Sequence, residues 1–259
     1  MKLNVKAVDL EFDEKSKKLY SEGEEVRSSV RHLDEMRDVI FNKNFINDKN
    51  KNDILYYMFR AAGQNMNDSV FEAHNMRYDV TVMNVYDLGG EFNKTLGHYH
   101  PVAVQNLAYP ELYEVISGEV LYILQKVCDD GHYDVKLIHA KAGDKVIMEP
   151  NYGHISINIG KKPLVEANLV NARFESIYEP IRKAGGGAVY VTDKKRVILN
   201  KNYSNVSITH INAPKIDFLD ENKSIYDEYL AHPEHFIFLN NPEFLLWKHD
   251  AWELSSQHF

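Results

Sequence analysis

The apolar positions of this chain change rhythm twice, and the changes divide it into three parts. From Asp53 to about Asn200, short runs rich in Val, Ile, Leu and Tyr recur at 54–59, 78–86, 112–116, 119–125, 135–139, 146–148, 155–159 and 164–170. Runs of this length, rich in β-branched and aromatic residues, predict strands. Turn sequences separate them, among them Asp130-Gly131, Ala142-Gly143-Asp144 and Asn158-Ile159-Gly160. Many short strands without long helices between them predict a β-sandwich or barrel.

The flanks read differently. Residues 1–52 are polar and mixed, with Val30, Leu33 and Met36 spaced for one side of a short helix over 29–36. The Asn- and Lys-rich stretch 42–52 predicts an exposed loop. Beyond residue 200 the pattern predicts helices at 224–231 and 242–254, the second with Asn241 as its N-cap and Pro242 in its first turn. There is no internal repeat and no low-complexity tract. The expected organisation is an N-terminal extension (1–52), a barrel (53–200) and a C-terminal extension with short helices (201–259).

The candidate chemistry sits in the strand-rich part. His98 and His100, in Gly97-His98-Tyr99-His100, are two residues apart, so on a strand both imidazoles share a face. Glu111, at the start of a predicted strand, and His154, far downstream, can add one oxygen and a third nitrogen from neighbouring strands. Three histidines and a carboxylate make a mixed N/O site for a first-row divalent cation, and Fe, Mn, Zn and Ni all suit it. Glu114 is the nearest rival to Glu111, but three residues on it faces the other side of the strand. The run 102–110 reads as a loop between strands. The remaining histidines read as structural or surface residues. His232-x-x-His235 has a chelating spacing, but Pro233 between them favours a loop.

Composition narrows the class. The 259 residues are 44% hydrophobic and carry a net charge of −8 with scattered Lys and Arg, so nothing suggests a nucleic-acid surface and no nucleic-acid partner is expected. The single cysteine, Cys128, excludes an intrachain disulfide and a Cys-based zinc site, and beside Asp129-Asp130-Gly131 it reads as a turn residue. No segment approaches the ~20 apolar residues of a membrane span. The start has no long apolar run, so a soluble, cytoplasmic protein is expected. Trp247 and Trp252 are expected to pack a C-terminal helix onto the barrel or a partner.

These residues carry a resemblance. Glu111 with Gly118, after the His-x-His string, and Gly143, Pro150, His154 and Asn158 resemble the two-motif signature of the cupins. Thr95-x-Gly97-His98-Tyr99-His100 is more specific. Together with Ser29-Val30-Arg31, Leu33 and Met36, Thr81-Val82, Glu111-Leu112-Tyr113, Asn158-Ile159-Gly160, Tyr178 and Gly185-Gly186, it is similar to the cupin-type, archaeal-style glucose-6-phosphate isomerases over roughly 25–200. That resemblance implies an all-β fold: a double-stranded β-helix (jelly-roll) barrel with helical N- and C-terminal extensions. It also implies a homodimer, one divalent metal per subunit and interconversion of glucose 6-phosphate and fructose 6-phosphate in glycolysis and gluconeogenesis. By position it implies His98, His100, Glu111 and His154 as metal ligands. Thr81, Thr95 and Gly97 would bind the phosphate, with Tyr56, Tyr113 and Tyr178 along the sugar. Glu111, Tyr113 and Tyr178 would serve the chemistry. Three positions depart from the family: Leu96 stands where a lysine is frequent, Ser176 near a histidine and Val170 near a tyrosine. Two other readings therefore stand beside the isomerase. One is another cupin enzyme, an isomerase or epimerase for a different sugar phosphate or, less in keeping with the Thr-x-Gly string, a dioxygenase. The other is a non-catalytic, metal-containing sugar-binding cupin.

Overall fold

The alternation in the middle of the chain is resolved as two sheets that face each other across one core. A computed structural model describes residues 1–64 and 67–245. Strands β1 (Leu10–Asp13), β2 (Lys18–Ser21) and β3 (Glu24–Val26) form a small antiparallel sheet. They are followed by β4 (Ser28–His32), β5 (Ile54–Phe59) and β6 (Met76–Met83), then by the hairpin β7 (Val102–Val104) and β8 (Leu107–Ala108). Next come β9 (Glu111–Ser117), β10 (Glu119–Val127), β11 (Tyr133–Lys141), β12 (Lys145–Met148), β13 (Gly153–Asn158) and β14 (Leu164–Asn171). The hairpin β15 (Val189–Val191) and β16 (Val197–Leu199) and the strand β17 (Val206–Asn212) complete the set. Helices α1 (Asp68–Ala73), α2 (Glu179–Lys183) and α3 (Ile225–Ala231) are short. None of the described helices is long and apolar enough to cross a membrane.

One sheet has the order β12-β9-β14-β6-β5-β4, the other β13-β10-β11-β17. All pairings are antiparallel except β11 with β17. Period-two alternation gives the six-stranded sheet two different faces. Tyr78, Val80 and Val82 of β6, Leu112 of β9 and Val165, Ala167 and Leu169 of β14 pack on its outer side. There they meet Leu10, Phe12 and Leu19 of the small sheet, Phe71 of α1, and Tyr226, Tyr229, Phe236 and Phe238 of the C-terminal segment. The inner side, with Tyr56, Met83, Tyr113 and Val115, packs against Tyr122, Ile123, Leu137, Ile155 and Ile157 of the second sheet. On that inner side β6, β9 and β14 also carry Thr81, Glu111, Glu166 and Asn168, so one end of the core is polar.

The eight strands expected in the barrel all form, with ends shifted by up to three residues. The expected helix over 29–36 is instead strand β4 and a 3-10 turn, Leu33–Met36. Pairing of Val30 with Tyr57 and of Arg31 with Tyr56 outweighs local helical spacing, while Leu33 and Met36 are still buried. The small sheet β1–β3 stands where a mixed polar extension was expected, so the N-terminal part is not helical before residue 33. The C-terminal part contributes β17 to the second sheet as well as its helix. That helix, α3, begins where predicted: the Ser224 hydroxyl oxygen accepts from Asp227 N at 3.0 Å. Asn241 acts as a cap, its Oδ1 accepting from Glu243 N at 3.1 Å. The rest of the expected helix 242–254, with Trp247 and Trp252, lies outside the described residues. Cys128 is a turn residue as expected, its carbonyl accepting from Gly131 N at 2.9 Å. The expected loop 102–110 is largely the hairpin β7–β8.

The C-terminal segment is tied to the outer face by more than apolar burial. Asp227 accepts from Lys6 N and Ala7 N, and Glu114 accepts from Ile225 N at 2.8 Å. Glu114 thus faces away from Glu111, as their odd spacing requires.

Candidate metal centre and substrate cavity

Three short stretches of chain bring the predicted ligands to the polar end of the core. His98 and His154 lie directly opposite each other: His154 N donates to His98 O at 3.0 Å, and His98 N to His154 O at 3.3 Å. His100 follows two residues on, and Glu111 enters from the first position of β9, opposite Met148 of β12. Each of the four residues offers a donor atom within 4.8 Å of the others. His98 Nε2 is 3.1 Å from His100 Nε2, and Glu111 Oε2 is 3.1 Å from His154 Nε2 and 3.4 Å from His100 Nε2.

The donors fit a cation. Glu111 Oε2 and His154 Nε2 are buried without a hydrogen-bond partner, a costly arrangement for polar atoms unless something else satisfies them. Their second atoms are held in part. His100 Nδ1 faces the Tyr109 carbonyl at 2.9 Å, so its proton sits there and the Nε2 lone pair points inward. Asn168 Nδ2 donates to Glu111 Oε1 at 2.6 Å and leaves Oε2 for the centre. Burial pushes His98 well below its usual range, and the neighbouring His154 and His100 rings add to the effect. Burial brings His100 down to about 4, against the pull of Glu111. Burial alone would raise Glu111, but His154, His100 and Arg60 outweigh it and leave the carboxyl below its usual range. Neutral imidazoles beside an ionised carboxylate are the protonation states a divalent ligand set needs.

The cavity above this cluster collects the other predicted residues. Tyr56, Thr81, Thr95, Gly97, Tyr113 and Tyr178 all line it. The Tyr178 ring lies 5.4 Å from His98, and Tyr113 lies 5.8 Å from His154. Tyr56 Oη accepts from Leu96 N and from Arg31 Nε, both at 3.2 Å, and so joins β4 to the Thr95–Gly97 stretch. Thr95 Oγ1 accepts from Ser156 N at 2.9 Å, which leaves its hydroxyl proton to donate. Gly97 has φ +81°, and a Cβ there would stand 2.5 Å from Ile155, so glycine is required by packing whatever else its backbone does. Leu96 itself is buried in the core.

The sequence reading gave no role to other cavity residues. Arg31, Arg60 and Arg77 bring three guanidinium groups to the wall, and Arg60 and Arg77 converge on buried Asp79. Glu166 and Asn168 also line it. A signal for these two existed: they are polar residues at alternate positions of the otherwise apolar run Leu164–Asn171, which marks an inward polar row. Nothing local marked the arginines, which reach the cavity from β4 and from both ends of the β5–β6 connection.

Burial raises Glu166 to about 7, although Ser156 and Tyr122 hydrogen bonds oppose the shift. The raised value has a definite sign. The folded state holds its proton more tightly than the unfolded chain, so the stabilisation is complete below about pH 4.5 and is lost as pH rises through 7. Glu166→Gln should therefore stabilise the metal-free protein at pH 8 by about 3 kcal/mol and have little effect at pH 4.5. Denaturant unfolding at both pH values measures this, and an equal effect at both would contradict the raised value.

A jelly-roll barrel with three histidines and one glutamate gathered at the polar end of its core is a cupin. The profile of the family "Glucose-6-phosphate isomerase (GPI)" matches residues 30–207, and the chain belongs to that family. The glucose-6-phosphate isomerase of Thermococcus litoralis is 24% identical over 180 residues, covering 69% of this chain and 88% of that protein. That of Pyrococcus furiosus is 25% identical over 175 residues, covering 67% and 86%. Among solved structures, Bacillus subtilis oxalate decarboxylase superposes with a TM-score of 0.35 at 20% identity, over 48% of this chain and 28% of that one.

Proposed function

We propose that this protein is a metal-dependent aldose–ketose isomerase that interconverts glucose 6-phosphate and fructose 6-phosphate. The observation that carries the reading is the convergence of His98, His100, Glu111 and His154, with unpartnered atoms facing one another, in a chain of this family. One divalent cation, of the Fe, Mn, Zn or Ni type, would be held by these four residues. When bound, it supplies positive charge to the sugar oxygen that becomes negative as the adjacent carbon loses its proton.

The chain's own groups do the rest. The reaction moves one hydrogen between neighbouring carbons, and a carboxylate can take the proton from one carbon and return it to the other. Glu111 is proposed for this role. Tyr113 and Tyr178 would orient the sugar, each within ring contact of a histidine of the cluster. The phosphate would be bound by Thr81, Thr95 and Gly97, which line the cavity, with Tyr56 beside the sugar. With Leu96 in the core, Arg31 would supply the cation: it is tied to Leu96 through Tyr56 and pairs with Glu35 at 2.6 Å. The same proposal includes the homodimer, the cytoplasmic setting and the glycolytic and gluconeogenic role that the resemblance implies.

Arg31→Met should raise the KM for fructose 6-phosphate about 10- to 100-fold, the loss expected for a hydrogen bond to a charged group, with a smaller change in kcat. An unchanged KM would transfer phosphate binding to Arg60 or Arg77. The function itself is tested by stripping the purified protein of metal and reloading it with Fe(II), Mn(II), Zn(II) or Ni(II). A coupled assay then follows fructose 6-phosphate to glucose 6-phosphate. Turnover restored by one of these cations is expected. Binding of a cation without turnover would shift the assignment to another sugar phosphate or to a binding role.

A further inference from the structure

Among the described residues, six buried polar side-chain atoms lack a hydrogen-bond partner: Tyr78 Oη, Glu111 Oε2, both ring nitrogens of His154, Glu228 Oε2 and His235 Nδ1. Three belong to the centre in the barrel. Two of the others lie together on the opposite side of the six-stranded sheet, in the C-terminal segment. We propose that Glu228, His232, Glu234 and His235 form a second divalent-cation site, of the zinc type, that is independent of the barrel.

The local sequence builds the cluster. Helix α3 ends at Ala231, and His232 leaves it with φ −142° and ψ 62°. Pro233 then starts a 3-10 helix, Pro233–Leu239, rather than the loop its presence suggested. With three residues per turn, positions i and i+3 eclipse, which stacks His232 and His235 with ring centroids 4.9 Å apart. His232, Glu234 and His235 each offer a donor within 4.8 Å of the others. Glu228, one turn back on α3, is only 3% exposed and lies beside His235.

The spacings suit a cation better than hydrogen bonds. His235 Nδ1 is 3.5 Å from Glu228 Oε1, and His232 Nδ1 is 3.5 Å from Glu234 Oε1. Both are long for N–H···O contacts. They match the edge of a tetrahedron with metal–ligand bonds of about 2.0–2.1 Å, which is about 3.3–3.4 Å. Among the described residues, Lys223 is the lysine that reaches this carboxylate, its Nζ 3.4 Å from Glu228 Oε2. The His232 ring is half-exposed and stacked on His235. Imidazole and carboxylate donors favour zinc over magnesium or calcium. A cation here would fasten the end of α3 to the following 3-10 helix, and with it the segment that covers the outer core.

The experiment uses untagged full-length protein and Zn(II) as the probe. Metal content after equilibrium dialysis should be two equivalents in the wild type and one in His232→Ala/His235→Ala, with isomerase turnover kept in that variant. His98→Ala/His154→Ala, which removes the barrel ligands, should keep one equivalent, and zinc should raise its Tm. Adding the 232 and 235 substitutions should abolish both. An unaltered stoichiometry in His232→Ala/His235→Ala would overturn the proposal. So would a natively folded His98→Ala/His154→Ala protein that binds no zinc, since His235 would then be only an ion-pair partner of Glu228. Because the first variant leaves the barrel intact, failure here would leave the isomerase assignment untouched.

Discussion

Replacing either His98 or His154 with alanine should remove most of the metal bound in the barrel and lower turnover by about three orders of magnitude or more. The two residues are direct cross-strand neighbours, and each loss takes one imidazole nitrogen out of the four-donor set and weakens its hold on a cation. A bound cation is worth several kcal/mol to a developing oxyanion, and each 1.36 kcal/mol is tenfold in rate. The backbone pairing of 98 with 154 does not depend on the side chains, so the barrel should persist, and circular dichroism would show it. Metal content by mass spectrometry and turnover in the coupled assay are the paired readouts. Full turnover in a variant shown to be metal-free would remove the centre from the reaction.

Glu111→Gln separates binding from proton transfer. The amide oxygen can take the place of Oε2 toward the cluster, with the Asn168 amide turned so that its oxygen accepts from the new NH2, so much of the metal should stay. The ability to take a proton is lost, and a positioned general base contributes about 10²- to 10⁴-fold. The expected result is near-normal metal content with turnover reduced by that factor. Unchanged turnover would transfer the proton-handling role to another cavity carboxylate, and Glu166, held near 7, is the one in place.

Two kinds of position are legible in the sequence alone. His98 and His100 are two positions apart, and extended chain, here bridged to His154 and Ile177, puts that pair on one face. Glu111 and Glu114 are distinguishable for the same reason, and they do point to opposite sides of β9, one to the cluster and one to α3. Arg31, by contrast, is legible only as part of a family string. Its distance from Thr95 in sequence gives no hint that Tyr56 bridges them. Arg77 shares a face of β6 with Asp79 two positions on, whereas only the fold brings Arg60 to the same carboxylate.

The same division holds for the fold as a whole. Strand alternation, turn chemistry and the two-residue step from His98 to His100 are local properties, carried by a few consecutive residues, and they point to an all-β barrel and to one face for that pair; Glu111 and His154 joined the candidates through the motifs around them. The partners of each strand are not local. Whether Ser28–His32 coils or extends was decided by the free edge of β5, and whether Val206–Asn212 joins the barrel by the free edge of β11. The cavity lining was decided in the same way, because charge at that wall comes from side chains on separate strands. Only the closed barrel puts them within reach of one another, where burial and mutual charge then set their protonation.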